Sequence, residues 1–140
     1  MFIKQLSVFV ENKFGRLEAI IDCLSKSGIN LRALSLADTA DYGVLRVIVD
    51  DAEKAKAALG EIGVISKLTD VVAVYLDDRS GGLASVLSIL KQDEISTEYM
   101  YAFLGRKEGK ALMVLKADDE EKLAKVLAKN NIPMATQADI

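Results

Sequence analysis

The sequence predicts an α+β fold in which one β-α-β-β-α-β unit occurs twice, and three observations carry that expectation. The stretch Asn12-Lys13-Phe14-Gly15-Arg16-Leu17 returns sixty-six positions later as Asp78-Arg79-Ser80-Gly81-Gly82-Leu83. Each copy follows a segment of alternating apolar residues, the period of a strand with one inward face. Each precedes an amphipathic helical stripe, so the repeated unit is larger than the loop itself.

In the first strand Leu6, Val8 and Val10 alternate with Gln5, Ser7 and Phe9; Val72, Val74 and Leu76 repeat the pattern in the second copy. After the glycine loops, Leu17, Ile20, Ile21, Leu24 and Leu83, Val86, Leu87, Leu90 follow the i, i+3, i+4, i+7 spacing of a helix that buries one stripe. Gly28 after Ser27 is a helix-ending signal. Residues 30–37 then read as a strand, a turn containing Asp41 and Gly43 follows, and the β-branched run 44–49 is its hairpin partner. Asp50 and Asp51 are N-cap candidates for a helix over 52–61, with Ala55, Ala58, Leu59 and Ile62 facing inward. Asp118 and Asp119 do the same for Leu123, Val126 and Leu127. Residues 63–68 and 132–137 remain as the fourth strand of each copy. The order is that of the ferredoxin-like motif, both helices lying on one face of an antiparallel sheet. The copies divide at 1–68 and 69–140, and Ser66-Lys67-Leu68-Thr69-Asp70 contains no spacer, so the last strand of one passes almost directly into the first of the next.

The outer sheet face is apolar as well. Tyr99, Tyr101 and Phe103 alternate with Met100, Ala102 and Leu104, and Val44 and Ile48 oppose Leu45, Val47 and Val49. A bare face of this kind is costly in water, so the sequence points to covering by a second chain and hence a homodimer.

Apolar residues make up 51% and charged residues 28% of the chain, the balance of a soluble globular protein. The net charge of −3 and the absence of a basic stripe argue against nucleic acid. No run reaches the roughly 18 apolar residues of a membrane span. The start of the chain lacks the basic and apolar segments of a secretion signal, so a cytoplasmic location is expected. Cys23 is the single cysteine and reads as a packing residue. With no histidine at all, imidazole bases and the usual zinc ligands are missing, which makes enzyme activity and a metal centre improbable; no cofactor is expected. The paired aspartates before helices fit caps better than a Mg²⁺ site.

The doubled element order and the loops Asn12-x-x-Gly15-x-Leu17 and Asp78-x-x-Gly81-x-Leu83 resemble the ACT domain family, in particular stand-alone proteins made of two fused ACT domains. The resemblance spans essentially the whole chain. Phe14 and Ser80 stand where the family often has proline, while the glycine is kept in both copies. The resemblance implies that the two copies join side by side through their second strands, giving an eight-stranded antiparallel sheet with four helices on one face. It also implies an amino acid bound at the boundary of two such units. One site would combine Asn12, Gly15, Arg16 and Leu17 with Tyr99, Met100 and Tyr101. Its mate would combine Asp78, Gly81, Gly82 and Leu83 with Leu34, Ser35 and Leu36. An α-carboxylate fits the exposed amides of a helix start, and a glycine lets the backbone approach it closely. Asn12 or Asp78 offers an oxygen to the ammonium group.

Each of these residues also has a plainer reading. Gly15 and Gly81 fit tight strand-to-helix turns, and Tyr99 and Tyr101 fit core or interface aromatics. The leading functional expectation is a non-catalytic sensor that modulates a separately encoded metabolic enzyme. The alternative is a structural adaptor or regulatory subunit with a vestigial ligand site.

Overall fold

A computed structural model describes residues 2–38, 41–105 and 107–140. Ten regular elements follow one another: β1 (Ile3–Glu11), α1 (Arg16–Lys26), β2 (Leu31–Asp38), β3 (Tyr42–Val49), α2 (Ala52–Glu61), β4 (Ser66–Asp77), α3 (Gly82–Gln92), β5 (Thr97–Ala102), β6 (Lys110–Ala117) and α4 (Glu120–Lys129). They fall into two compact units, Lys4–Thr69 and Asp70–Ile140, the latter joined by the first residues of the chain.

In the unit Lys4–Thr69, β3 lies between β1 and β2, antiparallel to both, with Val8 opposite Leu45 and Leu36 also opposite Leu45. The Phe9 amide donates to the Ile65 carbonyl at 3.2 Å, so the chain after α2 runs beside β1. The predicted inward residues of β1, α1 and α2 (Leu6, Val8, Val10, Ile20, Leu24, Ala55 and Leu59) form one buried cluster with Leu45, Val47 and Val49 of β3. Ile62, expected on the inner side of α2, is instead 46% exposed. In the unit Asp70–Ile140, β6 lies between β4 and β5 in the same antiparallel manner. Its core joins Val72, Val74 and Leu76 to Val86, Leu90, Leu115, Leu123 and Leu127. The hairpins, helices and strand faces thus form where the periodicity puts them. Gly43, expected in the first hairpin turn, sits inside β3 opposite Val10 and Asp38, and residues 39 and 40 lie outside the described residues.

Among the described residues the expected eight strands are six. Residues 66–77 form a single strand of 12 residues, because nothing between Ser66 and Asp77 supplies a turn, so the fourth strand of one copy and the first of the next are one element. At the other end residues 132–137 form only an isolated bridge, Val74 with Met134, flanked by bonds from the Tyr75 amide to the Pro133 carbonyl and from the Ala135 amide to the Ala73 carbonyl. Pro133 has no N–H to give, which limits the ladder there. Among the described residues, β2 pairs with β3 in one unit and β5 with β6 in the other.

Outward apolar residues are covered in part within one chain, Phe9 and Tyr42 remaining 49% and 42% exposed. Ile48 and Val114 are fully buried and Tyr101 is 8% exposed, although none belongs to a helix-facing cluster. The need for a second chain inferred from both faces being apolar is correspondingly smaller.

All four helices close alike. The amides of Ile29, Val64, Ile95 and Ile132 return to the carbonyls of Leu24, Leu59, Leu90 and Leu127 at 2.9–3.0 Å. The residue before each return has a left-handed backbone, and the copies fill it differently: Gly28 and Gly63 in one, Glu94 and Asn131 in the other.

Candidate functional site

The four helix starts are not equivalent. Asp51 caps α2 by accepting from the Lys54 amide at 3.1 Å, and Asp119 caps α4 by accepting from the Lys122 amide at 3.0 Å. At α1 and α3 the capping position is Gly15 or Gly81, with φ of 80° and 86° and no side-chain acceptor. A left-handed backbone admits glycine and strains most other residues. The Arg16 amide turns back to the Lys13 carbonyl and the Ala19 amide to the Gly15 carbonyl. Between them the first-turn amides of Leu17 and Glu18 have no cap. In α3 the Gly82 and Ser85 amides bond to Arg79 and Gly81, leaving Leu83 and Ala84 in the same position.

Beside the first of these starts lies a cavity of about 300 Å³, wholly within the unit Lys4–Thr69. Asn12, Lys13 and Leu17 line it from the loop and helix, Val10 and Glu11 from the end of β1, and Leu36, Asp38 and Gly43 from the β2–β3 hairpin. Glu11 is held below the ordinary carboxylate range, first by the hydrogen bond from Lys13, then by the charges of Lys13 and Arg16. The distances are 3.0 Å to Lys13 and 3.7 Å to Arg16. Asp38 is the second carboxylate on the wall.

Of the expected site residues, the structure brings Asn12, Leu17 and Leu36 together on the walls of one cavity. Phe14 is fully exposed at the loop tip. Leu34 and Leu36 oppose Val47 and Leu45, so both point to the helix-bearing side, where they remain 36% and 50% exposed. Ser35, opposite Arg46, points to the other side. On β5 the three expected residues divide in the same way. Met100 opposes Leu115 and packs on the core, whereas Tyr99 and Tyr101 oppose Lys116 and Val114 and stack on each other, ring centroids 6.5 Å apart. One ligand on one face therefore meets Met100 or the tyrosines, not all three.

In the second loop the Asp78 amide bonds to the Gly109 carbonyl, and the Ser80 carbonyl accepts from Arg79. Gly82 is buried, and a β-carbon there would stand 2.1 Å from the Asp77 carbonyl oxygen. Asp77 is held below the ordinary carboxylate range, chiefly by the hydrogen bond from Lys110. Glu11, Asp77 and Asp38 were missed in the sequence. The repeat alignment already carried a signal for the first two, since both immediately precede their loops.

A family model described as an ACT domain pair matches residues 1–140. The chain belongs to the ACT domain-pair family. Among solved structures, protein BT0572 from Bacteroides thetaiotaomicron is similar at 37% identity and a TM-score of 0.92, over 99% of this chain and 95% of that one. The regulatory subunit of aspartate kinase from Thermus thermophilus, in its ligand-free form, shares the fold at 14% identity and a TM-score of 0.64, over 90% of each chain. Its Thermus flavus counterpart does so at 15% identity and a TM-score of 0.58, again over 90% of each. No curated protein matched the sequence. Among the described residues of this ACT pair, no helix is long and apolar enough to cross a membrane, and no cluster of three or more potential metal ligands occurs.

Proposed function

We propose that this ACT pair is a non-catalytic sensor that binds a small zwitterion, an amino acid, at the start of α1 and thereby regulates a separately encoded enzyme. The observation that carries the reading is the contrast in caps. Two helices begin on an aspartate whose side chain accepts from one first-turn amide, while the two that follow glycine loops begin with no side-chain cap. A carboxylate from outside the chain is the group such a start accommodates. The cavity supplies the other requirements: Asp38 and Asn12 for the ammonium, and Val10, Leu17 and Leu36 for an apolar side chain.

The site is open toward the free edge of β2, where Leu34 and Leu36 are exposed. A second copy laid along that edge would close it, and a homodimer is therefore part of the proposal. The aspartate kinase regulatory subunits named above support a regulatory role by likeness of fold. Regulation further requires that the effector bind two arrangements of the protein with different affinity.

Thermal unfolding in the presence of each proteinogenic amino acid tests the reading, since a ligand of the folded state raises apparent stability. One amino acid, or a chemically related few, is expected to raise Tm, and Asp38→Asn is expected to abolish most of that rise while leaving Tm without ligand almost unchanged. A flat response to every amino acid would favour the adaptor.

A further inference from the structure

A second cavity, of about 250 Å³, lies within the unit Asp70–Ile140, between α3 and the chain leaving α4. It shares no residue with the cavity at the first glycine loop. Its walls are divided by chemistry. Val86, Ile89 and Ile132 present an apolar surface, while Arg79, Lys110 and Asp77 stand at the polar end. Asp77 pairs with Lys110 and lies 3.6 Å from Arg79. Nearby, Lys107 stands 5.5 Å from the centre of the Tyr75 ring, which also lines the cavity. Two lining cations, Arg79 and Lys110, thus flank a single lining carboxylate, in a chain whose net charge is −3.

The repeat explains why there is room. At the corresponding place in the first copy Arg16 extends a side chain, 35% exposed, toward Glu11. The second copy has Gly82, which the Asp77 carbonyl obliges to remain a glycine, and no side chain enters. The local excess of positive charge is kept while the space is left open.

We infer that this cavity binds a small organic monocarboxylate with a compact apolar body. The carboxylate would bond to Arg79 and Lys110, which turn part of their hydrogen bonding away from Asp77, and the body would cover Val86, Ile89 and Ile132. The volume is below that of a drug-sized site, which sets the body at roughly five or six carbons. The inference is independent of the amino-acid site, which lies in the other unit.

Amide chemical-shift titration of the full chain with isovalerate, isopentylamine and isopentanol separates the terms, because the three share a body and differ in charge. Isovalerate is expected to shift the amides of Gly82, Ile89 and Ile132 saturably, with a Kd of about 1 mM, while Leu17 stays unmoved. Replacing both cations, Arg79→Gln with Lys110→Gln, is expected to weaken binding about tenfold, and Val86→Trp to block it. Both charge positions are exposed, so that variant remains informative if Val86→Trp fails to fold. Absence of saturable shifts, equal binding of the amine or the alcohol, or unchanged affinity in the charge variant would each overturn the inference.

Discussion

Gly82 sets two physical effects against each other, and Gly82→Ala decides between them. As the first residue of α3, an alanine would gain about 1 kcal/mol over glycine on helix propensity alone. The repeat encourages the same expectation, since Arg16 occupies the equivalent place. Against this, the new β-carbon would lie 2.1 Å from the Asp77 carbonyl oxygen and 3.1 Å from its carbon. Those are backbone atoms at the end of β4 and cannot rotate aside. Relief requires moving the loop or the helix start, a change of the overpacking class that costs about 1–3 kcal/mol and more where backbone must shift. The steric cost exceeds the propensity gain, so Gly82→Ala should lower stability by about 1–2 kcal/mol, or about 3–7 °C in Tm for a chain of this size. Urea unfolding followed by far-UV circular dichroism measures it. A variant as stable as the parent, or more stable, would refute the reasoning and place the Asp77 carbonyl elsewhere.

Other consequences concern stability and pH. Glu94 holds a left-handed backbone, φ 54°, at the helix end where Gly28 and Gly63 do the same in the first copy, so Glu94→Gly should stabilise by about 1 kcal/mol in chemical unfolding. Glu120 is part-buried, accepts a hydrogen bond from the Ala117 amide, and burial, the largest influence on it, raises its pKa above the ordinary value. A carboxyl whose folded pKa is raised contributes stability that is present below the unfolded value, about 4.3, and lost as the pH climbs through the folded one. Glu120→Gln escapes that loss, so its Tm advantage over the parent should grow between pH 4 and pH 7; a shrinking advantage would reverse the assignment. Asp77, lowered by Lys110, works in the opposite sense, its contribution fading as the pH falls, and Lys110→Gln should reduce that part of the acid sensitivity.

Much of the fold was legible because alternation and helical spacing are local. Leu6, Val8 and Val10, or Leu83, Val86 and Leu90, announce their faces without any knowledge of partners. The strand count was not legible for the opposite reason. Whether residues 66–77 bend between two strands or run straight depends on what they pair with, and the absence of a turn former was the only hint that they run straight. Residues 132–137 have strand-like composition, but Pro133 has no N–H to give and they form a single bridge. Alternation did place Tyr99 and Tyr101 on one side and Met100 on the other; collecting all three into one site ignored that alternation. The glycine loops were visible as a repeat, whereas the difference between capped and uncapped helix starts needed backbone geometry. Asp38 and Gly43 joined the site only through the hairpin register, which spans a loop that no local pattern fixes.

The measurement closest to the central claim is amide chemical shift at Leu17 and Glu18 during titration with the amino acid that raises Tm. A carboxylate lodged on the open start of α1 must move both resonances saturably, with the same Kd as the thermal response. Full occupancy that leaves both amides where they began would contradict the account, whatever else in the protein had shifted.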